Sequence, residues 1–391
     1  MSRNNFTCGI DIGTHTTRVA VIAFNRDAKD PSMLAVGQSP TEGMRLGYIT
    51  NVDQVTKCIK KAVKQAEDIL GSRIRRAYVS IGGINLSSAI STGSVIISKA
   101  DQEITRLDVE KVIALSEENL EILNKKIIHV IPIGYKLDGK DIHGKPEGMH
   151  GTKLEVKTLF ITCLKQNIED LITAFAQAQI EVEDVVASPI AGSAILLSSK
   201  QKIAGCALIE IGAETVTFGC FENGLLISLA VFGIGSMDIT KDIALGFRIS
   251  LEEAESIKLG SVIGGDYPKK KVDEIIEARL SDIFELVENH LKRLHRSELL
   301  PAGVIISGGG AHINNIEEFA RTQLRLPVKI GPSDTTINNK LKIKDASWYT
   351  VFGLAMSQGD ELQNNNIRGD TGDNINQIKR FFKSIFSQLL P

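Results

Sequence analysis

Two acidic residues on apolar segments, Asp11 and Glu210, are the candidate catalytic side chains of this sequence. Each interrupts an apolar run that ends at a glycine, passes through a threonine-bearing turn and resumes: GIDIGTHTTRVAVI at Gly9–Ile22 and CALIEIGAETVTFGCFENGLLI at Cys206–Ile227. Glycine lets the backbone approach a ligand closely, and N–H groups and hydroxyls at such a turn can cradle phosphate oxygens. Asp11 would then hold Mg2+ through water. For one copy taken alone, an ordinary hairpin with a partly buried acid is the alternative.

A third segment, LLPAGVIISGGGAHI at Leu299–Ile313, places a glycine run directly after an apolar strand. Glycines there bring backbone against a ligand at the carboxyl end of the strand. A glycine run alone is weak evidence, but the repeated turn and the glycine run together favour two related domains that face each other across a nucleotide. The predicted nucleotide contacts in these segments are Gly13, Thr14, Thr16, Thr17, Gly212, Thr215, Gly308, Gly309 and Gly310, and Gly235, which follows the second segment, is a further one.

The elements that position these residues alternate between strands and helices. Asn51–Leu70 has apolar residues at helical spacing, and Arg76–Ile84 is a strand that runs into a double glycine. This alternation predicts an α/β architecture. Between Asn85 and Cys163, short β runs surround a helix at Arg106–Leu123, which is typical of a small α+β insertion. We expect its polar stretch Asp138–Gly151 to be a flexible hairpin loop.

Composition limits the function classes. The chain has 391 residues, 43% hydrophobic and 24% charged residues and a net charge of −2, which indicates a soluble protein of two or more domains. It lacks the clustered positive charge that nucleic-acid binding needs. The five cysteines are scattered and read as reduced core residues of a cytoplasmic protein. With no leader and no bilayer-spanning apolar run, we expect a protein that is neither exported nor integral to a membrane.

The C-terminal tail has two parts. Ser357–Asn374 is polar and predicts a flexible linker. After it, apolar side chains recur at three- and four-residue steps with basic residues and no acidic one between Ile375 and Pro391. This composition favours a helix lying in an anionic membrane surface, with a helix docked on the core or a partner as the alternative. The predicted membrane contacts are Ile378, Phe381, Phe382, Lys383, Ile385, Phe386 and Leu389.

These motifs resemble the actin, Hsp70 and sugar-kinase superfamily, and within it the bacterial cell-division family FtsA. GIDIGTHTTRVAV is similar to the first phosphate motif, LIEIGAETVTFGCFENGLL to the second and PAGVIISGGGAHINNIEEFA to the adenosine motif. IHVIPIGYKLDG, PEGMHGTKLEV and ITKDIALGFRISLEEAESIK are more specific to FtsA. The resemblance covers nearly the whole chain and implies an α/β, actin-like fold of two halves with repeated βββαβα cores around a nucleotide cleft and an FtsA-type 1C insertion subdomain.

The resemblance also implies the domain boundaries. In the first half, subdomain 1A comprises 1–79 and 164–203, the 1C insertion is 80–163, and the chain returns to 1A at 335–356. In the second half, subdomain 2A comprises 204–236 and 301–334, and subdomain 2B is 237–300. The linker is 357–374, and the amphipathic membrane helix is 375–391.

The function implied by the resemblance is an ATP- and Mg2+-binding protein that forms actin-like filaments on the cytoplasmic face of the inner membrane at the division site. It would tether the C-terminal tail of FtsZ there. By carry-over, Glu255 and Lys258 flank the adenosine, and Lys271 and Arg279 lie in the FtsZ-tail pocket. The alternatives are a pilus-assembly ATPase similar to PilM, or a soluble ATPase or phosphotransferase of the superfamily.

The second phosphate loop departs from the family pattern. Glu210 stands where aspartate is usual, Ala213 and Glu214 replace glycines, and Ser236 replaces another common glycine. A carboxylate of Glu214 that faced the phosphates would repel them, and Cβ atoms would crowd the backbone approach. We therefore expect weak or absent ATPase activity and, on this reasoning, tighter ATP binding in Glu214→Gly.

Overall fold

The computed structural model describes residues 6–24, 31–260, 267–331 and 345–356. In chain order its strands are β1 (Phe6–Ile12), β2 (Thr16–Phe24), β3 (Pro31–Pro40), β4 (Met44–Arg45), β5 (Tyr48–Ile49), β6 (Arg76–Ile81), β7 (Ser87–Ile96), β8 (Lys125–Leu137), β9 (Lys140–Ile142), β10 (Lys153–Leu164), β11 (Glu181–Ala187), β12 (Cys206–Ile211), β13 (Val216–Glu222), β14 (Leu225–Phe232), β15 (Val304–Ser307) and β16 (Val328–Ile330). The α-helices are α1 (Val52–Leu70), α2 (Arg106–Glu118), α3 (Lys165–Gln177), α4 (Ser188–Leu196), α5 (Ser199–Ala204), α6 (Ser236–Phe247), α7 (Leu251–Lys258), α8 (Lys269–Arg293), α9 (Ile316–Leu324) and α10 (Tyr349–Met356).

Two sheets repeat one topology. The first has the order β11-β6-β1-β2-β3 and the second the order β14-β13-β12-β15-β16. In the first sheet, β1 pairs antiparallel with β2 and parallel with β6. In the second sheet, β12 pairs in the same way, antiparallel with β13 and parallel with β15. The apolar runs around the two acids thus form the central strand of each sheet, which confirms the predicted pair of related α/β cores.

Helices lie close to the first sheet because glycines in its strands carry no side chain. A Cβ on Gly9 of β1 would overlap the backbone of α10, and a Cβ on Gly37 of β3 would overlap the backbone of α1. The strand pairing places these two glycines on opposite faces of the sheet, since Gly9 pairs with Ala20, whereas Gly37 pairs with Val19. Helices therefore cover both faces, and the core between them contains fully buried side chains of the central strands.

The insertion is a separate small sheet of order β7-β10-β8-β9 with α2 on one face. It has its own core, in which Val112, Leu154 and Val156 are buried. The helix predicted at Arg106–Leu123 ends at Glu118, and Leu123 is 88% exposed. Continuing the helix to Leu123 would have buried nothing further.

The expectation of a flexible loop at Asp138–Gly151 is corrected. Asp138 and Gly139, with φ of 49° and 81°, make a tight turn between β8 and β9. The rest of the stretch is tied to the chain before α2, because the Ile104 amide donates to the Met149 carbonyl at 2.8 Å and the Gly151 amide donates to the Gln102 carbonyl at 3.0 Å. The polar residues serve turns and backbone pairing in an ordered edge of the insertion.

The second half carries a helical layer from α6, α7 and α8. On α8, Ile276, Leu280 and Phe284 face the core at helical spacing, and the charged residues between them face outward. In the part of the chain that the structure describes, no helix is both long enough and apolar enough to cross a bilayer.

Candidate functional site

A cavity of about 220 Å³ lies between the two halves, where the β1–β2 turn, the β12–β13 turn and the end of β15 meet. Most of the sequence-predicted contacts line it. They are Asp11, Gly13, Thr14, Thr16, Glu210, Gly212, Thr215, Glu255, Lys258, Gly308 and Gly309. Three predicted residues, Thr17, Gly235 and Gly310, are outside this lining.

The two turns are built alike. The Gly13 amide donates to the Thr16 carbonyl at 3.1 Å, and the Gly212 amide donates to the Thr215 carbonyl at 2.8 Å. A Cβ on either glycine would stand 3.0 Å from that same carbonyl, which explains why both positions are glycine. This duplicated turn leaves the intervening amides and the threonine hydroxyls beside the cavity, as an anion-binding loop requires.

Thr17, Gly235 and Gly310 support the loops from behind. The Thr17 hydroxyl is fully buried and hydrogen-bonds to the Thr41 hydroxyl at 2.8 Å. A Cβ on Gly235 would overlap Ala213, and one on Gly310 would overlap the side chain of Ile211. These positions fix loop shape by close backbone approach.

The end of β15 brings backbone to the cavity. Gly308 has a φ of 83°, and a Cβ there would lie 2.5 Å from the Ile211 carbonyl. Among the described residues, no atom outside its immediate chain neighbours lies within 4 Å of a Cβ built on Gly309, so this residue borders open space. Glycine is required at 308 because L side chains rarely adopt that backbone conformation.

Asp11 and Glu210 lie on the floor of the cleft, where protein surrounds each carboxyl although each still faces the cavity. Asp11 accepts a hydrogen bond from the Ser80 hydroxyl at 2.5 Å, and Glu210 accepts one from the Thr350 hydroxyl at 2.9 Å. Burial raises the pKa of Asp11, while Ser80 and Arg18 oppose the rise. Burial, with the Asp11 charge second, raises the pKa of Glu210 to about 7. A bound cation would stabilise the ionised form of both.

Arg18 is the charged residue among the cavity-lining residues that the sequence reasoning missed; the others are Ile12, Gly47, Ser80, Gly82, Gly83, Ser188, Thr217, Met237 and Ser347. Arg18 lines the cavity one position after Thr17 in β2, opposite Asp11 in the strand register. Its guanidinium carbon lies 5.6 Å from the centre of the Trp348 ring, and its buried Nε has no hydrogen-bond partner in the described structure. A basic residue on an otherwise apolar strand directly after the phosphate loop was the available signal.

Glu255 and Lys258 form an ion pair at the other wall, in which Lys258 is buried and the Glu255 side chain is 39% exposed. Lys258 is 4% exposed, and its Nζ lies 2.7 Å from a Glu255 carboxylate oxygen. The same Nζ donates to the Thr240 hydroxyl at 2.9 Å and to the Ser236 carbonyl at 3.1 Å. The pair is thus held between α6 and α7, with both residues bordering the cavity.

Glu214 does not line the cavity. Its Oε2 accepts a hydrogen bond from the Leu46 amide at 2.6 Å, across the cleft in the first half of the molecule. The carboxylate therefore has a partner other than a phosphate, contrary to the orientation assumed for repulsion.

Lys271 and Arg279 lie on α8, outside the cavity lining, and each is engaged. The Lys271 Nζ donates to the Gly246 carbonyl at 3.2 Å and lies 4.8 Å from the centre of the Phe247 ring. Arg279 makes two hydrogen bonds to Asp242, at 2.7 and 3.1 Å. The predicted membrane contacts between Ile378 and Leu389 lie outside the described residues.

The chemistry of the cavity fits a magnesium nucleotide. Glycines at its turns leave room that a Cβ would fill, amides and hydroxyls offer donors to phosphate, and Arg18 holds an unpaired buried donor. The carboxylate oxygens of Asp11 and Glu210 are of the hard type that Mg2+ prefers, so these residues fit a magnesium ion that is held directly or through water.

Sequence comparison gives consistent matches. The family model "Cell division protein FtsA" matches residues 207–353, and the model "SHS2 domain inserted in FTSA" matches residues 83–162. Cell division protein FtsA of Bacillus subtilis (strain 168) is 32% identical over 375 residues, which are 90% of this chain and 83% of the relative. FtsA of Pseudomonas aeruginosa is 27% identical, with 89% of this chain and 88% of the relative covered.

Solved structures share the fold at low identity. A PilM-PilN type IV pilus biogenesis complex aligns with a TM-score of 0.66 and 15% identity over 90% of this chain and 97% of that chain. MreB5 of Spiroplasma citri bound to ADP aligns with a TM-score of 0.50 and 13% identity over 94% of this chain and 99% of that chain. Together with the repeated sheets, these likenesses establish the actin-like fold.

Proposed function

This chain belongs to the FtsA family of cell-division proteins, and we propose that it binds ATP with Mg2+ between its two halves and links FtsZ to the membrane as a polymer. The observation that carries the proposal is the duplicated glycine-threonine turn, one copy from each half, facing a common cavity with the β15 glycines. The ADP in the MreB5 structure supports a nucleotide in a cleft of this fold.

Each group in the cavity has a role in this proposal. The loop amides and the hydroxyls of Thr14, Thr16 and Thr215 would bind phosphate oxygens, and Arg18 would balance their charge. Asp11 would hold Mg2+ through water, with Glu210 facing it. Glu255 and Lys258 would flank the adenosine. A bound Mg2+ would supply charge neutralisation of the phosphates.

Hydrolysis would be slow or absent. Glu210 is longer than the usual aspartate and is held by Thr350, so the orientation of its carboxylate is fixed from the first half. Ala213 and Glu214 also replace glycines beside the second turn. ATP would then act mainly as a structural ligand of the closed cleft.

The membrane part of the proposal concerns residues 375–391, with 357–374 as the linker. Phe, Ile and Leu on one face of a helix, with only basic charge beside them, would bury in the interface of an anionic bilayer on the cytoplasmic face of the inner membrane at the division site. One short helix binds reversibly, so assembly with further copies would strengthen attachment by avidity. The subdomain boundaries given above are part of this proposal, and the family match over 83–162 supports the insertion.

The FtsZ part concerns Lys271 and Arg279 on α8. Both cations face an outer surface of the second half, where an acidic C-terminal tail would find complementary charge. Arg279 is already paired with Asp242 and lies 3.2 Å from Asp282, so a tail carboxylate would compete with these partners. The proposal therefore predicts moderate affinity that depends on salt.

Liposome pelleting tests the proposal. The full chain and a version ending at Ser357 are compared on anionic and neutral vesicles, with and without ATP and Mg2+. Phe386→Asp removes one apolar contact and adds a charge, and Ser387→Asp adds the same charge on the predicted polar face, seven residues from Arg380, as the matched control. The proposal is supported if pelleting on anionic vesicles requires the tail and rises with ATP, and if it is lost in Phe386→Asp but persists in Ser387→Asp.

A second candidate is a pilus-assembly ATPase, for which the PilM-PilN likeness is the specific observation. At 15% identity that likeness concerns the fold alone. Equal vesicle pelleting of the full and shortened chains would favour it, or a soluble ATPase, over the membrane-tethered polymer.

A further inference from the structure

The β4–β5 turn of the first half reaches across the cleft to the second phosphate loop. Leu46 and Gly47, at the tip, have φ of 48° and 77°. A two-residue turn with both φ positive normally uses Asn or Gly, because a leucine there costs about 1–2 kcal/mol of backbone strain. Strain of this kind persists where the surroundings fix it and often marks a functional contact.

The strained leucine is hydrogen-bonded to the second half through its backbone amide, and its side chain lies near Gly233. Its amide donates to the Glu214 carboxylate at 2.6 Å, and its Cδ2 lies 3.9 Å from the position a Cβ on Gly233 would take. The turn is seated on the chain after β6, since the Ile84 amide donates to the Leu46 carbonyl at 3.2 Å. The tip is thus braced on one half and bonded to the other.

This contact stands beside the nucleotide cavity. Gly47 and Gly83, which support the turn, line the cavity on one side, and Ala213 and Thr215, the neighbours of Glu214, line it on the other. Separating the halves here would break the Glu214 hydrogen bond and widen the cavity mouth.

We propose that Glu214 is a positioning residue that holds the second phosphate loop against the first half through Leu46, and so slows release of the nucleotide. This inference rests on the proposed ATP site. The expected effect of replacing Glu214 on ATP affinity is then the opposite of the one expected from charge repulsion. Removing the carboxylate would loosen the closed cleft and weaken binding, whereas relief of repulsion would tighten it. A bound nucleotide leaves such a cleft when the halves open.

The hydrogen bond itself is tested without nucleotide. Residue-resolved amide exchange of the full chain should show the Leu46 amide at least tenfold faster in Glu214→Ala than in wild type. Glu214→Gln keeps an acceptor oxygen and should retain most of the protection. Glu42→Ala, which removes an exposed acid beside the same turn, is the matched control and should leave Leu46 unchanged. Equal exchange in all four proteins would overturn the inference.

Release of a fluorescent ATP analogue tests the consequence. In stopped-flow chase experiments with Mg2+, Glu214→Ala should release the analogue about tenfold faster, the equivalent of ~1.4 kcal/mol. Glu214→Gln should stay within about twofold of wild type, as a retained acceptor predicts. Tighter binding in both variants would instead mean repulsion and would overturn the inference. Absence of analogue binding by wild type would refute the proposed ATP site, while the amide exchange would still decide the Leu46 contact.

Discussion

Replacing Arg18 by methionine should weaken ATP binding by a predictable amount. Methionine keeps an unbranched apolar stem but loses the guanidinium of Arg18, which lines the cavity. A charge pair about 4.5 Å apart at an effective dielectric constant near 20 is worth roughly 3–4 kcal/mol. Arg18 also interacts favourably with the carboxylates of Asp11 and Glu210, whose pKa values it lowers, and this interaction would weaken when Arg18 moves towards a phosphate. We therefore expect a net loss of about 1.5–3 kcal/mol, or a ten- to hundredfold higher Kd.

Titration calorimetry measures the loss, and Trp348 provides a second readout. It is the single tryptophan of the chain, and the Arg18 guanidinium lies 5.6 Å from its ring centre. Movement of the guanidinium toward phosphate should change tryptophan emission on ATP addition in wild type and leave it unchanged in Arg18→Met. Arg75→Met, at an exposed arginine, is the control. Wild-type affinity in Arg18→Met would refute the assignment of Arg18 to the phosphates.

Three further outcomes are expected. Gly353→Ala should lower the urea midpoint by the equivalent of about 1–3 kcal/mol, because the new Cβ would overlap a carbonyl of α4. Gly134→Ala is the control and should leave the midpoint unchanged, because no atom of the described residues lies within 4 Å of its new Cβ. Burial lowers the pKa of His290 from 6.5 to about 4. Because the unfolded chain then binds the proton at a higher pH than the folded chain, the free energy of unfolding should fall as the pH drops from about 6.5 towards 4. In urea titrations, the free energy of unfolding of His290→Gln should depend less on pH over that window. Asp242→Asn removes the charge of one of the two acids paired with Arg279, so it should tighten binding of an acidic FtsZ tail peptide in fluorescence anisotropy, and Arg279→Ala should weaken it. The same affinity in both variants would place the peptide elsewhere.

The central strands and their turns were predictable because their physics is local. A short apolar run that is rich in Ile and Val and ends at glycine favours a buried strand, and two such runs with one acid each make a repeat visible in the sequence alone. Asp11 and Glu210 reach the same cavity because the two sheets share one topology. Successive side chains of a strand point to opposite faces, so the sequence of β2 would also have predicted that Thr16 and Arg18 share one face and Thr17 the other. In the structure Thr16 and Arg18 line the cavity, and Thr17 is buried behind them.

The contacts of Glu214 could not be predicted in this way. Its partner, Leu46, is 168 residues away in the chain and lies in a turn whose sequence carries no Asn-Gly signal. Side-chain charge suggested an effect on phosphate, but charge alone gives no direction to a side chain. The order of the Asp138–Gly151 segment was missed for the same reason, since its backbone partners precede α2.

The two acids of the second phosphate loop region share one structural property. Glu210 is bonded to Thr350 of α10, and Glu214 to Leu46 of the β4–β5 turn, so each carboxylate has its partner in the first half. Gly212 lies between them in the chain and makes the turn that faces the cavity. The spacing between the first and second phosphate loops is therefore set on both sides of Gly212 by hydrogen bonds that cross the cleft. A ligand held by both loops would need that spacing, so we expect its affinity to depend on Leu46 and Glu214 even though the cavity lining includes neither of them.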